Sequence, residues 1–312
     1  MRPSPDASLA RAVQAGPVVL DGGLATWLEA AGHDLSDDLW SARLLMDAPA
    51  AIAAAHRDFI DHGSRVVTTA SYQATVEGFV RRGHTPEQAA DLIRSSVRIA
   101  RAVADAAPVG PVWVAASVGP YGAALADGSE YRGNYGLSQA ELMRFHRPRL
   151  ALLAEAAPDV LALETVPDVR EAEALLTALD GLGVPAWLSY TIAGDRTRAG
   201  QPLAEAFAVA AGRRDIIAVG LNCSSPADAT AAVPIAAAVS GKPVVVYPNS
   251  GEHWDARNRR WFGQAGDLDD LAPQWVRDGA RLIGGCCRVS PVTIKQLASI
   301  VGSPEQPNHS ST

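Results

Sequence analysis

Cys286 and Cys287 stand side by side behind Gly284-Gly285, closing the apolar run Ala280-Arg281-Leu282-Ile283, and the one other cysteine, Cys223, closes the run Ile216 to Asn222 in the same way. Neighbouring side chains of a strand point to opposite faces, so an adjacent pair can grip one ion only where the strand has ended. The paired glycines give the backbone that latitude. Three thiolates suit zinc, and three protein ligands rather than four leave a position open for a reacting species. A cysteine can equally be a small buried hydrophobe, and Cys-Cys without Cys-x-x-Cys spacing is a weak motif. What favours a metal or redox site is that the whole cysteine content follows two apolar runs.

Other chemistry-bearing residues also end apolar runs. Asp21-Gly22-Gly23 follows Val18-Val19-Leu20, Thr69-Ala70-Ser71-Tyr72 follows Arg65 to Thr68, Glu164-Thr165 follows Val160 to Leu163, and Tyr247-Pro248-Asn249-Ser250 follows Val244 to Val246. Two carboxylates and three thiols converging on one mouth suit an amino-acid thiol. The carboxylates would take its ammonium, backbone amides beside Gly22 and Gly23 its carboxylate, and a metal its sulfur. Singly, Asp21 reads as well as a turn residue before glycine, and Glu164 as a cap for a helix beginning near Pro167. His33, His56, His62, His84 and His146 read as helix or surface residues.

Eight short β-branched runs carry these ends: Val18 to Asp21, Arg65 to Thr69, Val112 to Ala116, Val160 to Glu164, Ala186 to Tyr190, Ile216 to Asn222, Val244 to Tyr247, and Arg281 to Ile283. Helical patterns lie between them, including Ala48 to His62, Thr85 to Ala106, Ser138 to Ala156, Val169 to Leu179 and Pro226 to Val239. Thr85-Pro86 and Ser225-Pro226 each set a capping residue before proline at the first helical position. Strands alternating with helices imply a parallel sheet covered on both faces. Eight such units predict an α/β fold, a single-domain (β/α)8 TIM-type barrel whose active site lies at the C-terminal ends of the strands. Three connections are long, Ala30 to Pro49, Tyr121 to Ser138 and Asn249 to Leu271; they carry Trp40, Tyr121, Tyr131, Tyr135, His253, Trp254 and Trp261 and are expected to act as lids. The barrel is expected to occupy residues 1–302, with 303–312 a disordered tail.

The chain has 312 residues, 48% hydrophobic and 20% charged, with a net charge of −7 and no basic stripe for a phosphate backbone, which excludes nucleic acid as a partner. No apolar run approaches the roughly 20 residues that span a bilayer, and the N-terminus lacks a signal-peptide core, so a cytoplasmic protein with no membrane partner is expected. Three cysteines, an odd number, fit a reducing compartment.

Asp21-Gly22-Gly23-Leu24-Ala25-Thr26, Thr69-Ala70-Ser71-Tyr72-Gln73-Ala74-Thr75, Ser117-Val118-Gly119-Pro120-Tyr121-Gly122, Tyr247-Pro248-Asn249-Ser250-Gly251-Glu252 and Gly284-Gly285-Cys286-Cys287-Arg288 resemble the zinc-dependent homocysteine S-methyltransferase family, from about Val18 to Leu297. The resemblance is greatest to the stand-alone branch that uses S-methylmethionine. It implies a Zn2+ cofactor held by Cys223, Cys286 and Cys287, and homocysteine near Asp21, Gly22, Thr69 and Glu164. The activity implied is transfer of a methyl group from S-methylmethionine, secondarily S-adenosylmethionine, to the zinc-bound thiolate of homocysteine, giving methionine. The expected substrate-binding set is Asp21, Gly22, Gly23, Thr69, Ser71, Tyr72, Glu164, Trp40, Tyr131 and Glu252. Within it Tyr72, Trp40 and Tyr131 would hold the sulfonium by cation–π contact, and Glu252 the donor's ammonium.

Two rivals remain open at this point. A betaine-dependent homocysteine methyltransferase would share the metal site, and a non-catalytic zinc-binding barrel would need a fourth protein ligand that no further cysteine supplies. A lysine-based lyase is disfavoured, because Lys242 and Lys295 both lie away from the strand ends. One barrel accounting for nearly the whole chain also leaves no folate or cobalamin module, which makes free folate an unexpected donor.

Overall fold

The computed structural model describes residues 8–36, 38–255, 260–263 and 265–301; the expected tail at 303–312 lies outside them. Eight parallel strands form the barrel: β1 Val18–Val19, β2 Val66–Thr68, β3 Trp113–Val118, β4 Val160–Val166, β5 Ala186–Tyr190, β6 Ile216–Asn222, β7 Val244–Tyr247 and β8 Ala280–Ile283. Their order is β1-β8-β7-β6-β5-β4-β3-β2. A bridge between Leu20 and Val66 then sets β1 beside β2. There the Arg65 N–H donates to the Val19 carbonyl at 2.8 Å.

Alternation along each strand sorts the apolar side chains into two buried clusters. One joins Val18, Leu20, Val66, Trp113, Val160, Trp187, Val245 and Leu282 with Leu9 and Val13 of the helix Leu9–Ala15, and is the barrel interior. The other joins Val19, Val67, Val114, Leu161, Leu188, Val219 and Ile283 with the surrounding helices. A strand buried on both faces is mostly apolar at successive positions, with the polar exceptions gathered toward the C-terminal ends, which is why these runs read as nearly continuous. Each fully buried Leu, Val or Phe contributes roughly 1.5–3 kcal/mol.

Helix boundaries follow the capping chemistry. Thr85 and Gln88 form a reciprocal capping box at the start of Pro86–Ala106, and Ser225 accepts from the Asp228 N–H at the start of Pro226–Ser240. The helix Val169–Leu179 is capped by Asp168, which accepts from the Arg170 N–H. Glu164 therefore does not cap it.

The three long connections carry more structure than expected. The first contains a 3-10 turn, Trp40–Arg43, and a helix, Leu44–Asp47; the second contains a helix, Tyr121–Leu125, and a 3-10 turn, Ser129–Tyr131; the third contains an antiparallel pair, His253–Asp255 with Arg260–Phe262. Buried Leu35, Leu39, Leu44 and Leu45 anchor the first of these to the helical layer. Elements of three to five residues are too short to show a period in sequence. The side-chain positions of His253, Trp254 and Trp261, expected among the lids, lie outside what is described. No helix among the described residues is long and apolar enough to cross a membrane.

Candidate active site

The strand ends and the loops after them enclose one cavity. Its wall includes Asp21, Gly22, Gly23, Trp40, Thr69, Tyr72, Tyr131 and Glu164 from the expected set, together with Cys223, Cys286 and Cys287. The three sulfurs lie within 4.8 Å of one another and form a group that can hold a metal ion. Cys223 and Cys286 are joined as a disulfide with Cα atoms 5.5 Å apart, and Cys287 carries the free thiol. Oxidised cysteines cannot serve as thiolate ligands, so the metal-holding state is the reduced one.

Gly284 and Gly285 position this trio by close approach rather than by φ freedom. Neither has a left-handed φ. A Cβ on Gly284 would meet Leu20 Cβ at 2.6 Å and the Asp21 carbonyl at 2.7 Å, and one on Gly285 would meet Val289 Cγ1 at 2.2 Å. Backbone bonds then fix the thiols: the Cys286 N–H donates to the Pro248 carbonyl at 2.7 Å, and the Cys287 carbonyl accepts from the Ser250 N–H at 3.1 Å. Burial pushes the Cys287 thiol up to about 12, with Glu29 adding to it. Such a thiol is neutral at pH 7, and only a bound cation would draw the proton off. The donor set thus fits a soft divalent metal with sulfur ligands.

At Cys223 the chain turns with φ +48°, and beside it Thr165 sits at φ +58°. A left-handed β-branched residue is costly and persists only where its surroundings enforce it. Asn222 enforces it here. Its Oδ1 accepts from the Thr165 N–H at 2.7 Å and from Ser189 Oγ at 2.8 Å, and its Nδ2 donates to Thr165 Oγ1 at 2.8 Å.

Asp21 is buried, and its carboxylate takes over the ladder where β1 runs out: Oδ2 accepts from the Thr68 N–H at 2.6 Å and Oδ1 from Thr68 Oγ1 at 2.9 Å. It is therefore not a turn residue. Burial raises its pKa to about 7 against the opposing Thr68 bonds, and the charge of Glu164 adds to the rise. Burial likewise raises Glu164 to about 6, although Ser117 and Tyr247 both donate to it and Arg149 lends positive charge. Two carboxylates acting on each other with raised pKa values make a site that gains from an incoming cation.

Three groups of the expected set have partners within the protein. The Gly23 N–H already donates to the Val289 carbonyl at 3.0 Å, so it is not free for a substrate carboxylate. Ser71 lies beneath the cavity wall, where it donates to the Ser117 carbonyl at 2.8 Å and bonds the Thr69 hydroxyl at 2.7 Å. Glu252 is outside the wall and accepts from Arg288 Nε at 2.5 Å and Ser250 Oγ at 2.8 Å. Sequence reasoning gave no role to Ser117, Thr165 or Thr68, nor to Asn222 and Tyr247 beyond their places at strand ends. All five line the cavity. The strand-end rule was the signal that could have found them.

The aromatic residues divide. Trp40, Tyr72 and Tyr131 line the cavity. Tyr121 and Tyr135 instead pack edge-on, with ring centroids 5.2 Å apart. The Tyr131 ring carries the Arg198 guanidinium, 5.8 Å from its centroid.

A barrel with paired cation-seeking carboxylates and a metal-capable thiol trio at its mouth defines an enzyme acting on a small molecule. The homocysteine S-methyltransferase family model matches residues 18–301. Homocysteine S-methyltransferase 2 of Zea mays is 42% identical over 301 residues, covering 90% of this chain and 89% of its own. The homocysteine S-methyltransferase of Escherichia coli K12 is 44% identical over 290 residues, covering 90% and 94%. The crystal structure of the E. coli homocysteine methyltransferase MmuM in its metallated form superposes with a TM-score of 0.82 at 42% identity, covering 91% of this chain and 96% of that one. The chain belongs to the homocysteine S-methyltransferase family and is a methyltransferase.

Proposed function

We propose that the chain transfers a methyl group from S-methylmethionine to the sulfur of homocysteine, forming methionine, with zinc held by Cys223, Cys286 and Cys287. The observation that carries this is the close grouping of the three sulfurs beside Asp21 and Glu164 in one cavity. Zinc, when bound, would keep the acceptor sulfur as a thiolate at a pH where a free thiol, with pKa about 8.5, is mostly protonated.

The remaining roles fall to the chain's own groups. Asp21 and Glu164 receive the acceptor's ammonium, a cation that relieves the penalty of burying both carboxylates. Ser117 and Tyr247 hold Glu164 in place, and Thr68 does the same for Asp21. Glycine at 22 lets the chain pack where a Cβ would meet the Val289 carbonyl at 2.4 Å and Phe59 at 2.8 Å, which sets the course of the backbone beside Asp21. Thr69 lines the cavity wall. Trp40, Tyr72 and Tyr131 enclose the donor. Positive and negative charge cancel as the sulfonium methyl reaches a thiolate, so a wall that excludes water favours the transition state over the separated ions.

A donor panel tests the reading. Zinc-loaded protein with homocysteine should form methionine fastest from S-methylmethionine, more slowly from S-adenosylmethionine, and slowest from betaine. Betaine outrunning both sulfonium compounds would overturn the donor assignment. A failure to turn over homocysteine with any donor, despite bound zinc, would overturn the reading as a whole.

A further inference from the structure

Asp21 and Glu164 together answer one ammonium, that of the acceptor. A third carboxylate, Glu130, stands one residue before the cavity wall and has no assignment. It belongs to the 3-10 turn Ser129–Tyr131 and directly precedes Tyr131 of the cavity wall. Its Oε2 is buried and has no hydrogen-bond partner. Its charge acts on the Tyr72 and Tyr131 hydroxyls and on the Cys287 sulfur, all three in that wall. The charged side chain that acts on Glu130 in return is a like one, Asp127. Other acids nearby have basic groups beside them: Glu252 has Arg288 at 2.5 Å, and buried Glu171, although its Oε2 is likewise unpartnered, has His146 on Oε1 at 2.9 Å and the charge of Arg149. A largely buried carboxylate whose outer oxygen has no partner, and on which only a like charge acts, is unfavourable until a cation reaches it.

The turn is fixed before any ligand arrives. A Cβ on Gly122 would meet the Glu130 nitrogen at 2.4 Å and the Tyr135 hydroxyl at 2.7 Å, so the turn packs directly on the helix Tyr121–Leu125. Tyr121 packs edge-on against Phe145 at 4.9 Å, which ties that helix to Gln139–Glu155. Glu130 is held in place from behind.

We propose that Glu130 receives the ammonium of the methyl donor and so selects donors that carry an amino group. The ammonium rather than the sulfonium is the fitting partner. The sulfonium loses its charge in the transition state, so a carboxylate against it would stabilise reactants more than the transition state. An ammonium keeps its charge throughout. The assignment also supplies the donor contact that Glu252, bound to Arg288, does not.

This inference rests on the sulfonium-donor reading, which native protein tests separately. Glu130→Gln should raise the KM for S-methylmethionine at least about tenfold, the loss expected when a charged hydrogen-bond partner is removed. Homocysteine affinity by calorimetry and zinc content should stay within twofold. Glu130→Asp should recover part of the loss, and Glu205→Gln, at an exposed position of the helix Leu203–Ala208, should behave as native protein. A sulfonium donor or competitor of the same length lacking the amino group should bind native protein and Glu130→Gln equally. An unchanged KM for S-methylmethionine, an equal loss of homocysteine affinity, or an equal loss with the amino-free sulfonium would each overturn the proposal. Should native protein not use S-methylmethionine at all, the donor reading fails instead. Should Glu130→Gln not fold, Glu130→Asp carries the same comparison with a smaller expected rise.

Discussion

The Tyr247 hydroxyl at the end of β7 donates to Glu164 Oε2 at the end of β4, 3.0 Å away, and accepts from Trp187 Nε1, also at 3.0 Å. The bond runs through the barrel between strands that are not neighbours. Tyr247→Phe should weaken homocysteine binding about threefold to tenfold by releasing Glu164, and it leaves the buried Trp187 N–H unpaired, at a stability cost of about 1–3 kcal/mol. The acid limb of the pH–rate profile should move upward, because a donor that lowers the Glu164 pKa is lost. A profile that does not move would show that Tyr247 acts on packing alone.

Asp21 sets activity against stability. Its folded pKa, about 7, lies above the ordinary 3.8. The folded state therefore holds a proton that the unfolded chain has released, and stability is full below about pH 4 and declines as pH rises to about 7. Asp21→Asn should accordingly raise Tm at pH 8 more than at pH 5, with a gain on the order of 2–4 kcal/mol at most, while homocysteine affinity falls. In native protein, acceptor binding should weaken as pH drops through 7 and 6, where Asp21 and then Glu164 take up protons. Calorimetric titrations at three pH values would check both signs.

Cys223→Ser, Cys286→Ser and Cys287→Ser should each lose bound zinc and activity while keeping the barrel's circular dichroism, since the core does not depend on the thiols. Metal analysis beside the activity assay checks this, and full activity in a metal-free triple variant would sink the assignment. Starting from reduced protein, mild oxidation should re-form the Cys223–Cys286 bridge, whose 5.5 Å Cα separation lies within the usual disulfide range, rather than join the adjacent Cys286 and Cys287. Mass mapping of the oxidised protein distinguishes the two, and reductant with zinc should restore activity.

Asn222→Ala removes the two bonds that hold Thr165 at φ +58° and a third, from Ser189, that holds Asn222 itself. Stability should fall by about 2–3 kcal/mol, as for other broken buried networks. Zinc should also bind less tightly, because Cys223 is the next residue along the same turn. Asn222→Asp keeps an acceptor for Thr165 and should recover more metal affinity than Asn222→Ala.

The barrel was legible because each strand is built on a short, mostly apolar run, and β5, β6 and β7 begin and end where their runs do. The strand-end rule brought Asp21, Glu164 and the three cysteines into one cavity from four strands. Partner choice was not legible. Nothing in the order of residues reveals that Glu252 meets Arg288, that the Gly23 N–H meets Val289, or that Ser71 turns beneath the wall, because each depends on which atoms the loops bring within 3 Å. Glu130 was missed for a related reason: its turn is three residues long, too short for any period.

The seam between β1 and β2 has a dynamic consequence. β1 is two residues long and reaches β2 through the single Leu20–Val66 bridge and the Arg65 amide, and the next rung is supplied by the Asp21 side chain on Thr68. The clasp of the barrel and a ligand-binding carboxylate are thus one group. Breathing at this seam must disturb the acceptor pocket, and an occupied pocket must quiet the breathing, so the Thr68 amide should exchange its hydrogen with solvent more slowly when homocysteine is bound. Deuterium uptake at one backbone nitrogen then becomes a gauge of occupancy that needs no turnover.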